Sequence, residues 1–191
     1  MCYNIFMKVD SGKYKGRKLI DNPYQHIRPT ADVVKQSIFN KLAFDVVGAN
    51  VLDLFCGTGA LGIEALSRGA ENVVMADKDL RSVKLTKDNL KNLKIDQGVI
   101  VLTGSYESVI KRLADKKFDI IILDPPYKSG VYENCLSLIY QNQLLSPSGV
   151  IVCEHDKKDK FDFSLFQILD EKIYGIKMVT YLSYKGQEEQ D

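Results

Sequence analysis

VLDLFCGTGALG, residues 51–62, runs from apolar residues through two closely spaced glycines into a helix-forming pattern. The apolar residues at 51–55 read as a buried strand, and Gly57 and Gly59 permit a turn too sharp for residues that carry a Cβ. ALGIEALSRGA, which follows, is helix-like. Strand, glycine turn and helix make the first half of a βαβ unit, and the rhythm continues outward. NVVMAD (72–77) precedes the amphipathic LRSVKLTKDNLKNLK; VIVLTG (99–104) precedes ESVIKRLADK; FDIIILD (118–124) precedes YENCLSLIYQNQLL; VIVCEH (150–155) comes last. Continuous apolar strands separated by helices imply a parallel sheet covered on both faces, and so an α/β fold. After residue 160, LFQILDEKIY and IKMVTYLSY are separated by little more than Gly175, with no room for a helix. They predict an antiparallel hairpin that completes a seven-stranded sheet.

The first forty residues differ. SGKYKGRKL (11–19) predicts a small hairpin, IRPT a stiff connector, and a helix is expected from about Ala31 to Phe44 with Thr30 as its N-cap. The chain therefore divides into an N-terminal extension, residues 1–44, and a main domain, residues 45–191. With 191 residues, 45% of them apolar, the chain has the size of a single domain with a proper core. Its four cysteines, Cys2, Cys56, Cys135 and Cys153, are far apart and lack histidines at ligand spacing, which argues against zinc and against a disulfide framework. No apolar run approaches the roughly 18 residues of a membrane span. A soluble, cytoplasmic, metal-free monomer is expected. Charge is uneven: Met7 to Lys41 holds eight basic and three acidic residues, or +5, and the remainder holds 18 and 22, or −4. A positive arm on a mildly acidic body points to a polyanionic partner.

GTGALG (57–62) formally matches the GxGxxG of dinucleotide sites, a weak signal alone. Asp53 changes the reading, because a carboxylate four residues before the first glycine repels a pyrophosphate but accepts a cationic amino group. S-adenosylmethionine carries such an ammonium and no phosphate. Asp77, ending the second strand, stands where an acid accepts hydrogen bonds from ribose hydroxyls. The alternative is that Asp77 and Asp79 only cap the next helix.

Asp124-Pro125-Pro126-Tyr127 ends the fourth strand, beside the switch point of such a sheet. A carboxylate and a carbonyl held by proline grip both hydrogens of a planar amino group, and the two prolines remove competing N–H donors. Tyr127 offers a ring on which a flat heterocycle stacks. The group is suited to holding an exocyclic amine of a base while its nitrogen attacks a methyl donor.

On these residues the chain resembles the class I S-adenosylmethionine-dependent methyltransferases. It is most similar to the bacterial family that methylates N2 of a guanine in small-subunit (16S) ribosomal RNA. The likeness runs from MKVDSGKYKGRKL (7–19) through IRPTADVVKQSIFNKL (27–42), VLDLFCGTGALGIEALSRGA (51–70) and IILDPPY (121–127) to CEHD (153–156) and YG (174–175). The glycine loop and DPPY set the reaction type; SGKYKGRKL with RPT carries the rRNA assignment. The resemblance implies a Rossmann-like fold, action on assembled small subunits and an extension that helps bind RNA. By position, the resemblance implies that Asp53, Gly57, Gly59 and Asp77 bind the cofactor and Asp124 to Tyr127 hold the guanine; Phe55, Ser105 and Tyr106 join the cofactor candidates, with simple packing the alternative for Tyr106. Asp10 replaces a usual apolar residue, Gln36 a common Glu, and Ser105 an Asp that contacts adenine. The family-like start at Met7 marks residues 1–6 as an upstream extension.

Lys13, Lys15, Arg17 and Lys18, interleaved with Tyr14 and with glycines at 12 and 16, form a cationic stretch suited to phosphates; Arg28, held by Pro29, is placed nearest the target nucleotide, and Thr30 completes the RNA-binding set. Alternatives are methylation of adenine N6 or of a protein glutamine, or an RNA-binding ribosome-assembly protein without catalysis. A glutamine enzyme more often has Asn at position 124, and intact Gly57, Gly59 and Asp124 speak against loss of chemistry.

Overall fold

The structure is a computed structural model that describes residues 7–20, 29–125 and 130–185, with residues 29–31 described by their backbone alone. After α1 (Pro29–Lys41), strands and helices alternate: β1 (Asn50–Asp53), α2 (Ala60–Ser67), β2 (Asn72–Asp77), α3 (Leu80–Leu93), β3 (Val99–Thr103), α4 (Tyr106–Arg112), β4 (Phe118–Leu123), α5 (Val131–Gln141) and β5 (Leu145–Asp156). β6 (Phe166–Tyr174) and β7 (Lys177–Tyr184) close the chain. One seven-stranded sheet has the order β3-β2-β1-β4-β5-β7-β6, with the first five strands parallel and β7 antiparallel to both β5 and β6. The order reverses between β1 and β4, which opens a crevice beyond their C-terminal ends.

Side chains along a strand point alternately to opposite faces, so the sheet has a core on each. Val51, Ile120 and Ile122 pack with Val34, Ile38 and Phe39 of α1, Ile63 of α2 and Leu90 and Leu93 of α3. Leu52, Ile121 and Leu123 pack on the other face with Val109 and Ile110 of α4 and Leu136 and Ile139 of α5. Burial on both faces is why these strands read as unbroken apolar runs.

Two boundaries differ from the sequence reading. β5 begins at Leu145, five residues before the expected start, because SPSG (146–149), which has turn chemistry, is taken up as a bulge between the pairs Phe118–Leu145 and Ile120–Val150. β7 pairs with β5 only from Ile151 to Asp156, so Pro147 forfeits no ladder bond on that side. α1 begins at Pro29 and ends at Lys41. Thr30 therefore lies in the first helical turn and is not the N-cap; proline at the helix start is favourable, since its missing N–H would have had no intrahelical partner.

The expected hairpin forms at residues 7–19. Val9 N–H donates to Arg17 O at 3.0 Å, Gly16 N–H to Val9 O at 2.8 Å and Leu19 N–H to Met7 O at 2.9 Å, around a 3-10 turn at Gly12–Tyr14. Its tip packs so closely on the end of α2 that a Cβ on Gly12 would meet Ser67 O at 1.7 Å. A buried network anchors its base. Fully buried Glu64 accepts from Asp10 N–H at 2.7 Å and Ser11 N–H at 3.1 Å, and pairs with Arg68 at 2.7 Å. Lys35, also buried, lies 3.2 Å from Asp10 and donates to Lys8 O at 2.5 Å. Gln36 Nε2 donates to Asp10 Oδ1 at 3.3 Å. Two of the three positions that depart from the pattern the resemblance implies, 10 and 36, are thus partners: an amide at 36 donates to the acid at 10, where a second carboxylate would repel it.

Candidate active site

β1 delivers Asp53 to the crevice, with its residue 1% exposed. Neither carboxylate oxygen has a hydrogen-bond partner among the described residues. Burial pushes its pKa up to about 7; the backbone N–H groups of Phe55 and Gly62 pull it partly down without meeting hydrogen-bond geometry, and the charge of Asp77 adds to the rise. An unpaired buried carboxylate is costly, and a ligand ammonium relieves that cost.

The two glycines ahead of α2 have different reasons. Gly57 has φ +53°, and a Cβ there would meet nothing within 4 Å, so its Cβ side faces open space that a ligand can fill. Gly59 has φ +81°, but its Cβ would meet Thr86 Cγ2 at 2.9 Å. Close packing against α3 thus requires glycine at 59. Gly62 does the same between α2 and β2, where a Cβ would meet the Met75 sulfur at 2.5 Å.

Asp77 holds the loop from the other side. Its Oδ2 accepts from Gly57 N–H at 3.0 Å and its Oδ1 from Asp79 N–H at 2.9 Å. Each oxygen retains a lone pair for a further donor. Asp79 is the N-cap of α3, accepting from Arg81 N–H at 2.8 Å, so the capping alternative holds for Asp79 and not for Asp77. Ser105 caps α4, its hydroxyl accepting from Ser108 N–H at 3.4 Å. Phe55 and Tyr106 face one another with ring centroids 5.8 Å apart, and Asn134 Nδ2 donates to the Tyr106 hydroxyl at 2.7 Å. Phe55 follows β1 and Tyr106 opens α4, and both pack against the core on the α4 side. An unpaired acid, an open glycine face, an acid with spare lone pairs and an aromatic pair fit the ammonium, main chain, ribose and adenine of S-adenosylmethionine.

Asp124 follows β4 directly. Burial, then the charge of Glu154, push its pKa up to about 8, Lys177 partly offsets this, and Asp53 adds a smaller increase. Pro125 is buried and lines a cavity of about 340 Å³ with Tyr132, Glu154 and Phe161. Pro126 and Tyr127 lie outside the described residues, as does Arg28. The Tyr132 hydroxyl donates to Leu123 O at 3.4 Å and to Glu154 O, tying the ends of β4 and β5 together.

Lys13, Lys15, Arg17 and Lys18 lie exposed on the hairpin, with Lys13 5.3 Å from the Tyr14 ring centre and Arg17 donating to Asn92 O at 3.1 Å. Thr30 is removed from them, in α1. Sequence reasoning missed Thr86 and Asn89, which are fully buried. Thr86 Oγ1 donates to Gly57 O at 3.0 Å; Asn89 donates to Thr58 O at 2.9 Å and Ile20 O at 3.0 Å, and accepts from Ile20 N–H at 2.6 Å. Polar residues in register with Val83, Leu90 and Leu93 on the apolar face of α3 were the available signal.

Residues 7–183 match the family described as “Conserved hypothetical protein 95”. The chain belongs to that family. Within reach of this Conserved hypothetical protein 95 member are YlbH of Bacillus subtilis, 37% identical over 94% of this chain and 100% of that one, and “Ribosomal RNA small subunit methyltransferase D” of Haemophilus influenzae, 33% identical over 94% of each. The solved structure of yhhF from Escherichia coli superposes with a TM-score of 0.82 at 26% identity, covering 95% of this chain and 99% of that one.

Proposed function

We propose that this Conserved hypothetical protein 95 member transfers a methyl group from S-adenosylmethionine to the exocyclic N2 amine of a guanine in 16S rRNA of the small ribosomal subunit. It is an S-adenosylmethionine-dependent rRNA methyltransferase. The observation that carries the reading is the pairing, in one crevice, of an unpartnered buried carboxylate, Asp53, with a second carboxylate, Asp124, next to a proline-held carbonyl. The similar Haemophilus influenzae protein, named for methylation of small-subunit rRNA, supports the substrate.

S-adenosylmethionine held in this crevice would supply an electrophilic methyl group. Asp53 pairs with its ammonium, the Gly57 main chain lies against it, Asp77 accepts from its ribose, and Phe55, Ser105 and Tyr106 enclose its adenine. Asp124 and the Pro125 carbonyl accept the two hydrogens of the guanine amine, drawing N2 toward a tetrahedral shape with its lone pair aimed at the methyl carbon. Pro126 fixes that turn and Tyr127 stacks on the base. Methyl transfer would leave a surplus proton on N2, which Asp124 would take up. The raised proton affinity of that carboxyl suits it to accept. One copy of the chain supplies both halves of the site, so a monomer suffices.

The segment up to residue 44 is the RNA-facing extension and residues 45–191 the transferase unit, with Lys13, Lys15, Arg17, Lys18, Arg28 and Thr30 meeting RNA. The test is methyl transfer from labelled S-adenosylmethionine to small subunits lacking their native methylations, with nucleoside mass spectrometry. N2-methylguanosine is the expected product. N6-methyladenosine in its place would refute the guanine assignment while sparing the amine-gripping role of Asp124.

A further inference from the structure

Four strands bring charged residues to one face at the crevice. Val51, Ile122, Val152 and Val179 all pack into the core beneath α1, α2 and α3. Because alternate residues share a face, Asp53, Asp124, Glu154 and Lys177, each two positions away, are directed to that side. β4 and β5 run parallel with Leu123 opposite Cys153, which sets Asp124 beside Glu154. Of the charged groups around Asp124, Glu154 acts on it most strongly. Glu154 Oε1 lies 3.0 Å from Lys177 Nζ, and its side chain is only 13% exposed. Its main chain is fixed by Tyr132, and it lines the same cavity as Pro125.

A largely buried carboxylate next to an amine-gripping residue has a specific chemical use. The Watson–Crick edge of guanine presents two kinds of donor side by side, the N2 amine and N1–H. Adenine presents a lone pair at N1. Asp124 and Pro125 account for the N2 hydrogens and leave N1–H without a partner. We propose that Glu154 is that partner: it accepts N1–H of the target base and so confines methyl transfer to guanine. The proposal rests on the guanine-N2 reading given above. Lys177 occupies one carboxylate oxygen and leaves the other as an acceptor, since a carboxylate has about four lone-pair sites. A base with a lone pair at N1 would face the carboxylate with acceptor against acceptor. Sites built to hydrogen-bond a polar group reject analogues lacking it by about 10⁴-fold, and bases removed from the stack are read along this edge.

2-Aminopurine probes the interaction, because it keeps the amine at C2 and replaces N1–H by a lone pair; it also lacks O6, a change that Glu154→Gln does not compensate and so separates from the N1 contact. Small subunits reconstituted with 16S rRNA carrying either guanine or 2-aminopurine at the target serve as substrates for the full chain. The native protein is expected to methylate guanine and to turn over 2-aminopurine at least about 10²-fold more slowly in kcat/KM. Glu154→Gln, whose amide N–H donates to a lone pair, is expected to lose guanine turnover by a similar factor and to gain on 2-aminopurine, with cofactor affinity within a few fold by calorimetry. Unchanged guanine preference in Glu154→Gln overturns the proposal, as does loss of both activities in a variant that still binds S-adenosylmethionine. If Glu154→Gln does not fold, Glu154→Asp replaces it. That variant keeps the acceptor and is expected to remain guanine-selective at a lower rate; equal turnover of the two bases overturns the proposal. A native product other than N2-methylguanosine would instead strike at the guanine reading, so the two failures are separable.

Discussion

Between about pH 4 and pH 7 the ligand-free folded chain holds protons on Asp53 and Asp124 that the unfolded chain has released. Their carboxyls are pushed up to about 7 and about 8, burial being the main cause in both, against about 3.9 in an unfolded chain. A carboxyl raised by folding favours the folded state below its unfolded pKa, and that advantage is lost as pH climbs through its folded pKa. For Asp53 the window runs from about 4 to about 7, and its size is on the order of 4 kcal/mol, three pH units at about 1.4 kcal/mol each. Asp53→Asn should therefore flatten the fall in cofactor-free stability between pH 4 and pH 8, read by urea unfolding at several pH values, and should weaken S-adenosylmethionine binding because an amide cannot neutralise the ammonium. Parallel stability curves for variant and native protein would show that Asp53 takes up no proton on folding. Asp124→Ala separates the other carboxyl: transfer is abolished while cofactor affinity stays within a few fold. A collapse of affinity in calorimetry would make Asp124 a cofactor ligand.

At the scale of elements, the loop between β1 and α2 gives each glycine a different consequence. Gly57→Ala places an L-residue at φ +53° with nothing in its way, a penalty of about 1–2 kcal/mol. Gly59→Ala adds contact with Thr86 at 2.9 Å, and overpacking costs a further 1–3 kcal/mol or so. Gly57→Ala should thus fold and lose cofactor affinity, whereas Gly59→Ala should lose the larger share of stability in urea; normal cofactor binding by Gly57→Ala would mean that the open space there is not the ligand's. This contrast also marks what the sequence made legible. Strands buried on both faces announce themselves as apolar runs, and strand-end acids such as Asp53, Asp77 and Asp124 stand out against them. The start of β5 did not, because Ser146 to Gly149 have turn chemistry but are taken up as a bulge in the pairing with β4. Thr86 and Asn89 were visible only as polar residues on an apolar helical face. Glu154 and Lys177 could not be joined in advance, because their contact depends on the antiparallel register that sets Asp156 opposite Lys177.

Over the whole molecule, the hairpin belongs to the body of the protein. Val9 and Leu19 are buried in the same core as α1, α2 and α3, Glu64 binds its backbone across more than fifty residues of sequence, and Asn89 joins its outgoing strand to the glycine loop. The base of the hairpin thus lies near the cofactor crevice, where Thr58 Oγ1 meets the Met7 sulfur at 3.4 Å. Its tip lies at the opposite end of α2, where Tyr14 N–H donates to Ser67 Oγ at 2.9 Å. The eight residues of α2, at 1.5 Å each, separate the two by about 12 Å. On the proposed reading, cations at the tip would therefore grip phosphates of the RNA flanking the target and not the reacting base. Lys13→Gln combined with Lys15→Gln should raise KM for the small subunit, leave kcat at saturation within about twofold, and make the salt dependence of binding shallower by roughly 1.4–1.8 in log–log slope, the loss of two phosphate contacts. Filter binding across a salt series and steady-state kinetics measure the two effects separately. An equal fall in kcat would mean that the tip acts in the transition state, and an unchanged slope would leave these lysines as solvated surface.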